Sequence, residues 1–267
     1  MPGKIAIAIG AHPDDVEFYM AGTLLQLKNA GYEIHYLNLA SGNCGSVKYN
    51  STATRAIRNT EARAAAKKLG AHFHPGLTDD LEILYHLDLL RRLSAVIREV
   101  KPRVILTHPP QDYMEDHTNT CRLTVTAAFT RGMPNFKSVP ARPVADYEAT
   151  IYHSMPHGLC DGLRQQVSPG LFVNTGPVHT LKRAALAAHK SQQSWLDVSQ
   201  GLNSYLMAME DMSLEVGRLS GRFKHAEGWR RHLHFGFCGP QADPLARALG
   251  RNCLINRAYE RQLKQRR

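Results

Sequence analysis

The chain has 267 residues, 43% hydrophobic and 21% charged, a composition ordinary for a soluble enzyme with a full buried core; length alone leaves open one large α/β domain or two small ones. The formal charge of +10 raises nucleic acid or an acidic lipid as partners, but much of the excess lies in residues 257–267, and a basic end is ordinarily a solvated one, so neither is the expected main role. Five scattered cysteines, with no Cys-x-x-Cys pair, exclude a disulfide framework or zinc knuckle and fit reduced thiols.

The chain starts directly into an apolar run at 4–10, with no basic leader and no apolar stretch of spanning length. Neither a signal peptide nor a membrane helix is expected, and the expected location is the cytoplasm. The run has no polar alternation, so it reads as a strand buried on both faces inside a parallel sheet. Ala11-His12-Pro13-Asp14-Asp15-Val16-Glu17 follows it, and Pro13 with the two aspartates predicts a helix from there to about Ala30. His12 and Asp15, three apart, then converge on one point and can hold a metal, with Asp14 free to take a proton from water. The plainer alternative is that the acids cap a helix and His12 is a loop residue.

Residues 32–40 read as a second strand, completing a β-α-β unit, and 41–46 as a small-residue loop at the same sheet edge. The phosphate loop and the G-x-G-x-x-G fingerprint are both missing, which counts against a nucleotide. A helix is predicted over 54–69, where Arg58 and Glu61 either form a surface ion pair or present Arg58 to the pocket. Another helix is expected over 81–100, stopped by Lys101-Pro102, and a third strand over 103–107. A second polar cluster at 108–117 opens on His108 and closes on Asp116-His117, with a helix from about Asp116 to Ala128. Beyond it lie a Pro-rich loop at 132–143, strands near 148–153 and 171–174, and a helix at 177–189. With no linker or repeat, a single domain is expected.

Taken together, the Ala11–Glu17 stretch after its strand, Arg58-x-x-Glu61-Ala62, the Asp112-to-His117 loop and His189-x-Ser191-Gln192 resemble the PIG-L or LmbE-like family of metal-dependent N-deacetylases. The resemblance implies a Rossmann-like, mostly parallel α/β sheet flanked by helices, one domain over residues 1–267 with a basic tail from about 257. It also implies a zinc ion held by His12, Asp15 and His117, with Asp14 as general base. The implied reaction is attack of zinc-bound water on the N-acetyl group of an amino sugar, an N-acetylglucosamine-containing small molecule or conjugate. Two histidines and one carboxylate leave an open metal position suited to such chemistry, and they suit ferrous iron as well.

The departure is Met114, where many relatives carry a histidine that assists the leaving group or the oxyanion; a thioether does neither. His108 is one substitute, unless it only packs. His189 is the other, its pKa set by a carboxylate such as Asp116, unless it merely faces a helix dipole. In some relatives a histidine comes from a neighbouring subunit, which makes a homo-oligomer the expectation. Arg58 matches a family arginine near the substrate. The alternatives are a metallohydrolase of a phosphoester or ester, or a non-enzymatic basic α/β binding module.

Overall fold

A computed structural model describes residues 3–193 and 204–265. The strands β1 (Ile5–Gly10), β2 (Glu33–Asn38), β3 (His72–His74), β4 (Val104–Thr107), β5 (Thr150–Ser154), β6 (Leu171–Asn174), β7 (Ala226–Arg231) and β8 (Cys253–Ile255) form one sheet, in the order β3-β2-β1-β4-β5-β7-β6-β8. The pairs from β3 to β5 are parallel and those from β5 to β8 antiparallel. β1 is therefore central, as its apolar run requires.

Its residues alternate between two cores, because side chains in a strand point to opposite faces. Ala6 and Ala8 pack under helices α1 (Ala21–Asn29), α2 (Ser51–Leu69), α5 (His179–Leu186) and α7 (Pro244–Leu249). Ile7 and Ile9 face α3 (Leu87–Val100) and α4 (Glu115–Phe129). The small alanines belong to the first core and the larger isoleucines to the second. Helix α6 (Ser204–Ser220) packs beside β7. Among the described residues no helix is long and apolar enough to cross a membrane, and the five cysteines are free.

The structure corrects several boundaries. The helix expected from Pro13 begins later: a turn at 13–14 leads into a π-helical turn, Val16–Met20, and only then into α1. Asp14 has φ +116, a value no regular helix accepts, so His12 and Asp15 meet through a tight turn rather than along a helix face. Helix α3 starts at Leu87 rather than at 81, because Leu81 has φ +64 and gives its N–H to Asp116 at 2.8 Å. Strand β7 escaped the sequence reading because Glu227, Gly228 and two arginines break any apolar pattern. Glu227 is nevertheless buried, accepting from the N–H groups of Gly22 (2.8 Å) and Thr23 (2.7 Å) at the start of α1 and from Lys182 Nζ (2.6 Å). Most of the basic tail is helix α8 (Arg257–Gln265), with Tyr259 under the Arg230 guanidinium; Arg266 and Arg267 lie outside the described residues.

Candidate active site

The order of the parallel strands reverses at the crevice between β1 and β4, and their carboxyl ends place the loops 11–15 and 108–117 side by side. Ligands bind at such switch points in open α/β sheets. Gly10 is needed here: a Cβ on it would overlap Asn38 Oδ1 and lie 2.9 Å from Asp15 Cβ. Asp15 Oδ2 then accepts from the backbone N–H groups of Ala11 (3.0 Å) and His12 (2.7 Å), which fixes its carboxylate.

His12, Asp15 and His117 offer ligand atoms that all lie within 4.8 Å of one another. His12 Nδ1 is 3.6 Å from Asp15 Oδ2, and its Nε2 pairs with Asp116 Oδ2 at 2.9 Å. His117 Nε2 is 3.4 Å from Asp15 Oδ1, and its Nδ1 is 3.2 Å from Asp112 Oδ1. Each imidazole thus turns one nitrogen toward Asp15 and rests the other on a second carboxylate, the arrangement that orients metal-bound histidines. His108, Asp112 and His117 form another triple of the same kind, but neither His108 nor Asp112 lines the cavity, whereas His12, Asp15 and His117 all do.

That cavity, of about 510 Å³, is also lined by Phe18, Tyr19, Leu81, Tyr113, His157 and Tyr205. Asp14 lines it beside Arg58, which is 2% exposed. The guanidinium gives hydrogen bonds to Pro13 O and Gln192 Oε1 and reaches Asp14 Oδ2 at 3.3 Å. This grip on residues 13 and 14 holds the strained φ of Asp14, a conformation that persists only where its surroundings enforce it. Gly42, at φ +77, roofs Arg58; a Cβ there would sit 2.6 Å from Nε. The surface ion pair with Glu61 is not made: Glu61 instead accepts from Ser191 N (2.8 Å) and Oγ (2.6 Å).

The family profile described as PIG-L, GlcNAc-PI de-N-acetylase, matches residues 7–128. An uncharacterized deacetylase of Escherichia coli, YaiS, is 30% identical over 196 residues, which cover 70% of this chain and 91% of that one. The chain belongs to the PIG-L family. Diacetylchitobiose deacetylase of Thermococcus kodakarensis is similar to this PIG-L chain, 28% identical over 236 residues, covering 85% of this chain and 82% of its own. The crystal structure of GalB, a 4-carboxy-2-hydroxymuconate hydratase from Pseudomonas putida, shares the fold at a TM-score of 0.70 and 23% identity, covering 85% of this chain and 95% of that one.

Two residues named as acid donors stand elsewhere in this PIG-L chain. His108 is 1% exposed, stacks on His117 with ring centroids 4.0 Å apart, and reaches Asp15 Oδ2 at 3.1 Å, so it buttresses the triple from behind. His189 is fully buried with Nε2 3.1 Å from Glu17 Oε1; its carboxylate partner is Glu17, not Asp116, which serves His12 and Leu81 instead. Neither histidine lines the cavity. The imidazole that does, besides those of the triple, is His157, 3.5 Å from the Tyr19 hydroxyl and tilted against Tyr113 with ring centroids 6.1 Å apart.

Burial raises the Asp14 carboxyl above its ordinary range, with Asp15 adding to the effect and Arg58 opposing it. Burial pushes Asp15 the same way, but His117 and His108 overcome it and hold that carboxyl well below the usual range. For His12, burial favours the neutral ring, yet Asp116 and Asp15 outweigh it and draw the pKa up to about 10; Asp15 and Asp112 likewise draw His117 up to about 9. The PIG-L triple is thus a pair of imidazoles in a field that attracts positive charge, which a divalent cation satisfies by displacing protons. Sequence reasoning placed Asp112 in the second polar loop but gave it no role; the structure sets it against His117. Sequence reasoning had no access to Tyr205, whose hydroxyl lies against Asp14 from a distant helix.

Proposed function

We propose that the chain is a metal-dependent N-deacetylase acting on an amino sugar, with zinc as the ion and His12, Asp15 and His117 as its ligands. The observation that carries this reading is the convergence of two carboxylate-backed imidazoles on Asp15 at the floor of a cavity that Asp14 also lines. The family description and the diacetylchitobiose deacetylase relative support the choice of an N-acetyl amide on glucosamine.

A bound divalent ion polarises an amide carbonyl and makes water acidic enough to lose a proton near neutral pH. Asp14 accepts that proton: it stands in the cavity beside the triple, and its raised pKa brings it closer to neutrality, where a general base works best. Arg58 keeps the Asp14 turn in place and supplies the compensating charge that lets a buried carboxylate stay ionised. Burial lowers the His157 pKa, so the ring is neutral in the resting site; from the His117 side it relays to the departing amine the proton that Asp14 has taken from water, filling the role left open by Met114. Because it comes from this chain, an imidazole from a neighbouring subunit is not needed for that step. Tyr19, Tyr113 and Phe18 offer ring faces against which a sugar can stack.

The test is acetate release by zinc-loaded protein from N,N′-diacetylchitobiose and other N-acetylglucosamine conjugates, with a chelator-treated control. Release that requires the metal supports the reading. A product that keeps its amide and gains water would instead indicate hydration, the reaction named for the Pseudomonas relative.

A further inference from the structure

A second group of potential ligands lies away from the cavity, where α5, α6 and the lead-in to β7 meet. His179 opens α5, Glu210 lies on α6 and His225 immediately precedes β7; one ligand atom from each falls within 4.8 Å of the others. The imidazoles stack with centroids 3.9 Å apart and planes 23° apart, and His179 Nε2 is 3.5 Å from Glu210 Oε2. Nδ1 of His179 and Nδ1 of His225 are buried without a hydrogen-bond partner, and His225 is only 8% exposed. Buried nitrogens left unpaired are costly and uncommon in native proteins, so two of them beside one carboxylate call for an occupant.

The donor set defines the occupant. Two imidazoles with one carboxylate suit a borderline divalent ion of the zinc class, whereas magnesium and calcium prefer all-oxygen sites. We propose that His179, Glu210 and His225 form a second site for a divalent transition-metal ion, independent of the one in the cavity. Arg183, with Nε 3.9 Å from Glu210 Oε2, competes for the carboxylate, so this ion binds more weakly than one held among Asp15, Asp112 and Asp116. Its role is structural. Helix α6 carries Tyr205 and Ala208 to the cavity wall, and the segment after α5 carries Gln192, which engages Arg58. An ion joining His179 to Glu210 fastens these two contributors together.

The experiment counts ions. Full-length protein stripped by chelator is titrated with Zn²⁺ against a chromogenic chelator, and thermal unfolding is followed in parallel. The wild type takes up two equivalents in two steps. His117→Ala, which removes a ligand of the cavity site, keeps one equivalent and still gains thermal stability from zinc. The His179→Gln/His225→Gln double variant loses the weaker equivalent and keeps the stronger. Uptake of no ion by folded His117→Ala, or of two by the double variant, overturns the proposal. Should the double variant not fold, the His117→Ala titration decides alone, and it separates failure of this site from failure of the cavity site.

Discussion

Arg58 and Asp14 form the pair on which the active-site turn depends. Arg58 is 2% and Asp14 9% exposed, and their side chains lie 3.3 Å apart. Arg58→Ala leaves a carboxylate buried without its counter-ion and removes the hydrogen bonds to Pro13 O and Gln192 Oε1. Breaking a buried pair from one side costs about 3–5 kcal/mol. A chain of 267 residues has an unfolding entropy of about 0.56 kcal/mol per kelvin, so Tm falls by roughly 5–10 °C. Asp14→Asn removes the charge instead and costs less, while turnover drops by roughly 10² to 10⁴ with metal retained, as for loss of a general base. The double variant is then less destabilised than the sum of the singles, by about 0.5–3 kcal/mol. Calorimetry on the four proteins gives this coupling, and steady-state kinetics on Arg58→Ala accompanies it. Because the guanidinium is engaged with the Asp14 turn, kcat falls rather than KM alone rising. Additive stabilities, or a raised KM with unchanged kcat, would refute the pairing and return Arg58 to a direct substrate contact.

His117→Ala is expected to lose the cavity ion and the activity together, with elemental analysis and acetate release measured on one preparation; a full ion complement in that variant would remove His117 from the ligand set. His157→Gln should keep the ion and lower kcat far more than KM, whereas wild-type kcat would assign the proton to another group. His153, 5% exposed, is pushed by burial from the ordinary 6.5 down to about 4, with His232 and Arg230 adding to the effect and the His108 carbonyl opposing it. Its folded pKa lies below its unfolded one, so the unfolded chain takes up the proton first as pH falls. Stability is therefore complete above about pH 6.5 and declines toward pH 4, this group contributing at most about 1.4 kcal/mol per pH unit. Denaturant titrations across that window should show a shallower decline for His153→Gln, and an unchanged slope would rule the group out.

Most of the parallel half of the sheet was legible because β1, β2 and β4 are largely buried on both faces and the helices carry ordinary stops, such as Gly70 at φ +66 after α2 and Lys101 at φ +54 after α3; the short edge strand β3, His-Phe-His and partly exposed, was not read. The antiparallel half was legible only in β5 and β6. β7 is stabilised through Glu227, whose partners on α1 and α5 come from distant parts of the chain, and no local pattern encodes them. The same distinction holds within the site. Histidines and aspartates at strand ends announce themselves, and the structure gathers them. The turn that brings His12 to Asp15 was not readable, since a non-glycine residue at φ +116 contradicts local preference and is held by Arg58, more than forty positions away. His189 carried a helix-end signal, but its partner Glu17 lies on a π-helical turn that the sequence reading took for regular helix.

The central claim is that this cavity cleaves an amide by delivering water to an acetyl carbonyl with Asp14 as base. Its most direct test is turnover of an N-acetylglucosamine conjugate by zinc-loaded protein in H₂¹⁸O, with both products weighed by mass spectrometry. The account predicts acetate carrying one heavy oxygen from solvent and a free amine with none, both lost in Asp14→Asn. Heavy oxygen appearing instead in a product whose amide is intact, or equal turnover in Asp14→Asn, would contradict it.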